Sequence, residues 1–171
     1  VTESTLIKFT SNGTESWRRN ISTLINGDAA LRDVEISGNR LYVAGRDLYV
    51  FDLNGALTNT VAQIAPLWDV AITTNGIYAA GTGQVHRYTT NLAPVWKYAL
   101  PVVQNPPADM AIANDGTVYV ATFNSTPQDS AYLTRISSNG TQVWSKFFAD
   151  PDANSYQLSG IPNVELLPDG N

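Results

Sequence analysis

Between Asp109 and Trp144 the apolar residues come in short bursts separated by polar turns, and the spacing is nowhere helical. Met110 to Ala113 is a brief apolar run closed by Asn114-Asp115-Gly116, residues that tolerate positive φ and favour a tight turn. Thr117 to Thr122 (TVYVAT) is rich in β-branched and aromatic residues that suit a pleated surface. After a polar break, Ala131 to Ser137 (AYLTRIS) alternates apolar and polar positions at period two, as a half-buried strand does. Ser138-Asn139-Gly140 turns the chain again, and Thr141 to Phe148 (TQVWSKFF) supplies a fourth strand. The pattern predicts four antiparallel strands in one twisted sheet, with no amphipathic helix between them.

The unit recurs along the chain. Its first strand returns at Asp33–Ile36, Asp69–Ile72, Asp109–Ile112 and Asn163–Leu166, with spacings of 36, 40 and 54 residues. Its second strand returns at Leu41–Ala44, Ile77–Ala80 and Val118–Ala121. The turn between third and fourth strands returns at Asn12-Gly13, Asn54-Gly55, Asn91-Leu92 and Asn139-Gly140, and five residues past each asparagine stand Trp17, Asn59, Trp96 and Trp144. Self-similarity near 40 residues with four strands per repeat is the mark of β-propeller blades. The expected fold is all-β: a β-propeller segment of four-stranded antiparallel blades, three of them full, with partial blades at either terminus.

On this reading residues 1–32 hold the outer half of a blade, 33–68, 69–108 and 109–162 hold full blades, and 163–171 begin another. Two arrangements are open. The terminal pieces could unite into one closing blade of a four-bladed ring, or the chain could be part of a longer protein or an assembly of copies. The second is favoured, because a strand like Val118–Ala121 ought to follow Gly170-Asn171, and an unpaired strand edge invites pairing with another chain. A start at Val1 without Met, and without a signal peptide, fits a processed form or a fragment.

Ser130-Ala131-Tyr132-Leu133-Thr134-Arg135 with Asn139-Gly140 and Trp144, and Asp115-Gly116 with Tyr119-Val120, resemble the bacterial β-propeller-repeat family of SBBP type. The chain is also similar to the pyrroloquinoline-quinone-type repeat, in which a turn glycine is likewise followed by a tryptophan. The resemblance covers nearly the whole chain and implies a blade rather than a chemistry. It implies an extracellular or cell-envelope protein; the quinone-binding and metal-binding residues of the related dehydrogenases have no recognisable counterparts in this sequence.

Composition narrows the function classes. Only 15% of the 171 residues are charged and 43% are hydrophobic, so neutral polar Asn, Thr and Ser carry the solubility, as on a secreted or cell-surface protein. A net charge of −5 and a pI near 4.6 argue against nucleic acid and anionic membranes as partners. No stretch reaches the roughly 18 apolar residues of a membrane span, and the absence of cysteine removes disulfide and thiolate chemistry. Four N-x-S/T sequons, at Asn12, Asn20, Asn124 and Asn139, are candidate glycosylation sites.

The connections after the second and fourth strands vary in length while the other turns are stereotyped, and variable loops on a rigid scaffold are where binding usually resides. Asp28, Arg46, Asp47, Trp68, Phe123, Asp129, Asp150, Asp152, Asn154 and Tyr156 are expected on that loop face. Of these, Trp68, Asp150, Asp152, Asn154 and Tyr156 are the candidate ligand-binding residues. Asp150-Pro151-Asp152-Ala153-Asn154 opens like a calcium loop, but Ser155 stands where glycine is needed and Ile161 where the bidentate glutamate belongs, so no metal site is assigned. His86 is the single histidine, on a strand, which fits neither a zinc site nor a Ser-His-Asp arrangement. Trp17, Trp96 and Trp144 are expected to pack between blades, and the leading Asp33, Asp69 and Asp109 to cap backbone N–H groups.

The sequence thus predicts an extracellular structural or interaction module without catalysis or cofactor, meeting a protein or glycan partner at the loop face or assembling through its incomplete blades. A lectin-like, carbohydrate-binding propeller is the alternative, with Trp68 as the stacking residue. A quinone-dependent or lactonase-like enzyme comes third, since no set of carboxylates and metal ligands is seen to converge.

Overall fold

The computed structural model describes residues 4–24, 30–63, 65–100, 107–124, 130–149 and 163–166. Two strands open it, β1 (Thr5–Phe9) and β2 (Glu15–Asn20), and a single helical turn α1 (Ile21–Leu24) follows them. β3 (Asp33–Ser37), β4 (Arg40–Ala44), β5 (Leu48–Asp52) and β6 (Leu57–Val61) form the first four-stranded sheet. The second holds β7 (Leu67–Thr73), β8 (Gly76–Gly81), β9 (Gln84–Tyr88) and β10 (Pro94–Ala99). The third holds β11 (Pro107–Ile112), β12 (Val118–Asn124), β13 (Ser130–Ile136) and β14 (Gln142–Ala149). Within each sheet the strands lie side by side in chain order, and among the described residues β1 pairs with β2 alone. This is the all-β, four-stranded blade architecture that the apolar pattern predicts. β7 begins at Leu67, ahead of the expected Asp69, because the Leu67 side chain is fully buried and its N–H donates to Gly45 O at 2.7 Å.

The turns between third and fourth strands share one geometry. In the first, Gly13 N donates to Thr10 O at 3.0 Å and Thr10 N to Thr14 O at 2.8 Å; Asp52–Ala56, Thr89–Ala93 and Ser137–Thr141 repeat both bonds. The fourth residue of each turn lies at positive φ: +83° at Gly13, +79° at Gly55, +66° at Leu92 and +85° at Gly140. That is a tight turn followed by a left-handed residue, the usual three-residue hairpin loop. A few residues on, the pairing slips by one in each fourth strand, leaving Ser16, Thr58, Val95 and Val143 unopposed. Such a bulge re-aims the side chain beside it. In three of the four strands the next residue is the tryptophan of the repeat: Trp17, Trp96 or Trp144.

The chain falls into two compact units, 1–67 and 68–171. Inside each, one sheet meets the next by the same device. In the second unit Trp96 Nε1 and Arg87 Nη1 both donate to Ser138 O, at 3.0 and 2.8 Å, and a Cβ at Gly140 would come within 2.7 Å of the Trp96 ring. In the first unit Trp17 Nε1 and Lys8 Nζ donate to Leu53 O, at 3.0 and 3.1 Å, and a Cβ at Gly55 would come within 3.0 Å of the Trp17 ring. Each time an indole and a cation share the carbonyl two residues before the glycine, and the ring lies on the glycine itself. Behind the device lies an apolar layer. Tyr78, Ala80, Val85 and Leu100 face Met110, Val118, Val120 and Ile136 in the second unit, all of them buried. Ile21, Leu41, Val43, Tyr49 and Phe51 form the layer of the first.

A methyl group at position 140 therefore meets both backbone strain and a packed ring, whereas one at Gly13 meets strain alone, since nothing lies within 4 Å. Gly13→Ala is expected to cost about 1 kcal/mol, the left-handed penalty of an ordinary residue. Gly140→Ala is expected to cost about 2–4 kcal/mol, the same strain plus overpacking. Urea unfolding of the two variants checks this, and equal costs would show that the ring does not rest on the glycine.

Candidate functional site

The connections expected to carry function come together in part. In the first unit, Arg46 and Asp47 of the β4–β5 connection, Leu24 of α1, Tyr49, Leu57 and Thr60 line a shallow cleft of about 330 Å³. Residues from the connection after a second strand and the connection after a fourth thus share one end of this unit. Asp47 shapes the cleft wall. Its Oδ1 accepts the Gln63 N–H at 2.8 Å, and its Oδ2 accepts the Tyr49 hydroxyl at 3.4 Å. Burial, with the Asp47 charge second, pushes the Tyr49 phenol up to about 12, so it stays a neutral donor at ordinary pH.

Trp68 lies on β7 and keeps 36% of its surface exposed, while its Nε1 donates to the Thr82 hydroxyl at 3.3 Å. Thr82 belongs to the β8–β9 connection, so the start of β7 meets that connection at one end of the sheet. Asp28, Asp129, Asp150, Asp152, Asn154 and Tyr156 lie outside the described residues, so the calcium-like segment is not placed. Among the described residues no three His, Asp or Glu side chains group to hold a metal ion.

The sequons occupy different settings. Asn12 and Asn139 are exposed in the stereotyped turns, where their Oδ1 atoms accept from Thr14 N and Thr141 N, each at 3.2 Å. Asn20 ends β2 with its Oδ1 buried and without a hydrogen-bond partner among the described residues. Asn124 is the last residue of β12.

Several carboxylates serve backbone. Asp109 Oδ1 accepts Met110 N at 2.9 Å and its Oδ2 accepts Val164 N at 2.7 Å, the capping role expected of the leading aspartates. Asp52 accepts Asn54 N and Ala56 N, at 2.8 and 2.9 Å, and Asp115 accepts Thr117 N at 2.8 Å. The bond from Ala56 holds the Asp52 carboxyl below its usual range, and the bond from Thr117 does the same for Asp115. His86 lies parallel to the Tyr88 ring, with centroids 5.9 Å apart, and pairs across the sheet with Lys97. Its Nε2 is buried without a hydrogen-bond partner among the described residues. Burial first, and the Lys97 charge second, lower its pKa to about 4.

What the sequence reading did not single out is the cross-strand column beside each tryptophan. Tyr78 pairs with Arg87, and Arg87 with Trp96; Tyr119 pairs with Arg135, and Arg135 with Trp144. Arg87 lies 5.7 Å over Tyr78 and Arg135 5.8 Å over Tyr119. The signal available was a Tyr, Arg and Trp on the second, third and fourth strands of two repeats; only the register shows that they touch.

No protein-family model matches the chain, and neither does a curated protein. Solved structures do. A protein of unknown function from Bacteroides caccae aligns over 97% of this chain and 62% of its own, at 12% identity and a TM-score of 0.63. The Pan2 WD40 domain of Neurospora crassa aligns over 73% and 40%, at 15% identity and a TM-score of 0.56. BamB from Moraxella catarrhalis aligns over 83% and 55%, at 15% identity and a TM-score of 0.54. The chain thus spans about two fifths to three fifths of the length of these structures, and at such identity the likeness establishes the fold: the chain has a β-propeller architecture.

His86 makes the second unit acid-sensitive. With its folded pKa at about 4 and an ordinary value of 6.5, stability is full above pH 6.5 and falls as pH drops from 6.5 to 4, because the unfolded chain takes the proton first. The loss is expected to be about 1–2 kcal/mol, since solvent still reaches part of the ring. Urea midpoints at pH 7.5 and pH 4.5 should differ less in His86→Gln than in the unaltered chain; identical pH slopes would refute the assignment.

Proposed function

We propose that the chain is a non-catalytic structural or interaction module working outside the cell, which meets its partner through the variable connections and its sheet edges. The observation that carries this reading is the use made of acidic side chains. Asp47, Asp52, Asp109 and Asp115, the groups a hydrolytic or proton-transfer site would draw on, are bonded to backbone N–H groups that hold turns and connections in place. What this leaves for recognition is the cleft bordered by Arg46, the part-exposed Trp68, and β1, which among the described residues is bonded on one side only. The low charge content and the exposed sequons Asn12 and Asn139 support a secreted or cell-surface setting. Among the described residues no helix is long and apolar enough to cross a membrane. The blade motif fits a bacterial propeller repeat of SBBP type, with the pyrroloquinoline-quinone-type repeat as its near counterpart.

A second reading rests on Trp68 alone. An indole that keeps 36% of its surface exposed and has its N–H held by Thr82 is a suitable platform for a sugar ring.

Capture of surface-labelled extracellular proteins by the immobilised chain is expected to be lost in an Arg46→Ala/Trp68→Ala double variant that unfolds at an unchanged temperature. Capture that survives the double substitution, or no capture at all, would count against the loop-face reading. Glycan-array signal abolished by Trp68→Ala but kept by Arg46→Ala would select the carbohydrate reading instead.

A further inference from the structure

We propose that the free face of the β11–β14 sheet binds the Asn12-Gly13 turn of a second copy of this chain, head to tail. The inference deepens the interaction reading by naming a partner, and it uses a surface separate from Arg46 and Trp68. It starts from the junction already formed in the second unit. There the β7–β10 sheet presents Tyr78, Arg87 and Trp96 in one cross-strand column, and this column receives the Ser137–Thr141 turn. Trp96 and Arg87 bond to Ser138 O, the indole covers Gly140, and the Tyr98 hydroxyl donates to Gln142 Oε1.

The β11–β14 sheet carries the same column. Tyr119 and Trp144 meet edge to face at 6.2 Å and 61°, against 6.2 Å and 64° for Tyr78 and Trp96. The cation above each tyrosine is Arg135 here and Arg87 there, at nearly equal distance. Among the described residues, however, nothing accepts from the Trp144 indole or from the terminal nitrogens of Arg135. The apolar positions beside the column are open as well. Phe148 is 53% exposed where its counterpart Leu100 is 3%, and Tyr119 is half-buried where Tyr78 is fully buried. The face has the donors and the apolar surface of a junction, without a turn to receive.

The complement is present elsewhere on the chain. The Thr10–Thr14 turn has the hydrogen bonds of the Ser137–Thr141 turn and nearly the same φ at its glycine, +83° against +85°. A Cβ at Gly13 would meet nothing within 4 Å, so no ring covers it among the described residues. Phe9, just before the turn, is 57% exposed, while its counterparts Phe51, Tyr88 and Ile136 are buried. Charge agrees with the match. The position of Tyr98 is taken by Lys146 on the free face, and that of Gln142 by Glu15 beside the free turn, so the neutral pair of the formed junction becomes a cation and an anion. Docking in the same register would place Ser11 O against Trp144 and Arg135, Gly13 under the indole, and Glu15 beside Lys146. The two surfaces differ, so the contact is heterologous and can repeat from copy to copy.

Sedimentation of the full chain over a range of concentrations tests this. The unaltered chain is expected to associate, and Trp144→Ala and Gly13→Val are each expected to weaken association by about tenfold or more. An equimolar mixture of the two variants should form a dimer, because one keeps the turn and the other keeps the face. Lys146→Glu and Glu15→Lys provide a second route should Gly13→Val fail to fold: each alone should weaken association, and the double variant should restore it. A chain monomeric at every concentration, a mixture of folded variants that stays monomeric, or association untouched by all four substitutions would overturn the proposal. Loss of association with capture through Arg46 and Trp68 intact would leave the loop-face reading standing.

Discussion

A glycine held at positive φ beneath an indole ring governs how one sheet meets the next in each unit. The turn must be left-handed at that residue to close, and a side chain there would strike the ring. With the Cβ absent, the backbone comes close enough for the carbonyl two residues earlier to take two bonds, one from the indole and one from a cation. The apolar layer behind this contact contributes most of the free energy, but apolar contact is not directional. The shared carbonyl supplies direction, and with it a fixed register between neighbouring sheets.

Much of the remaining polar chemistry follows the same economy of fixing backbone. Asp52 and Asp115 close their turns by accepting N–H groups, and Asp109 ties the start of one sheet to Val164. The guanidinium groups of Arg87 and Arg135 lie over the Tyr78 and Tyr119 rings. Two repeats each depart from the rule once: the β3–β6 sheet carries Asn59 in place of tryptophan, and the β9–β10 turn carries Leu92 in place of glycine, strained at +66°.

The strands were legible because two faces of a sheet impose period two, and because tight turns draw on few residue types. The turn glycines and the tryptophans five residues beyond each asparagine were visible for the same reason: both are rare and regularly spaced. The bulges at Ser16, Thr58, Val95 and Val143 were not visible, since an extra residue in a strand has no compositional mark. The helical turn at Ile21–Leu24 escaped as well, being too short for a period to show. The Tyr, Arg and Trp columns needed register, and the cleft beside Arg46 needed two connections far apart in sequence to be brought to one end of a sheet. Of the candidate ligand residues, Trp68 alone lies among those described, and its exposure could not be foreseen from an apolar strand start.

Because the turn belongs to one sheet and the ring that covers it to the sheet before, each of the two contacts is divided between neighbouring blades. A stretch of about 40 residues, copied in tandem, would carry a matching half at either end. Such a copy could dock on its neighbour through the contact this chain already makes twice, Trp17 on Gly55 and Trp96 on Gly140.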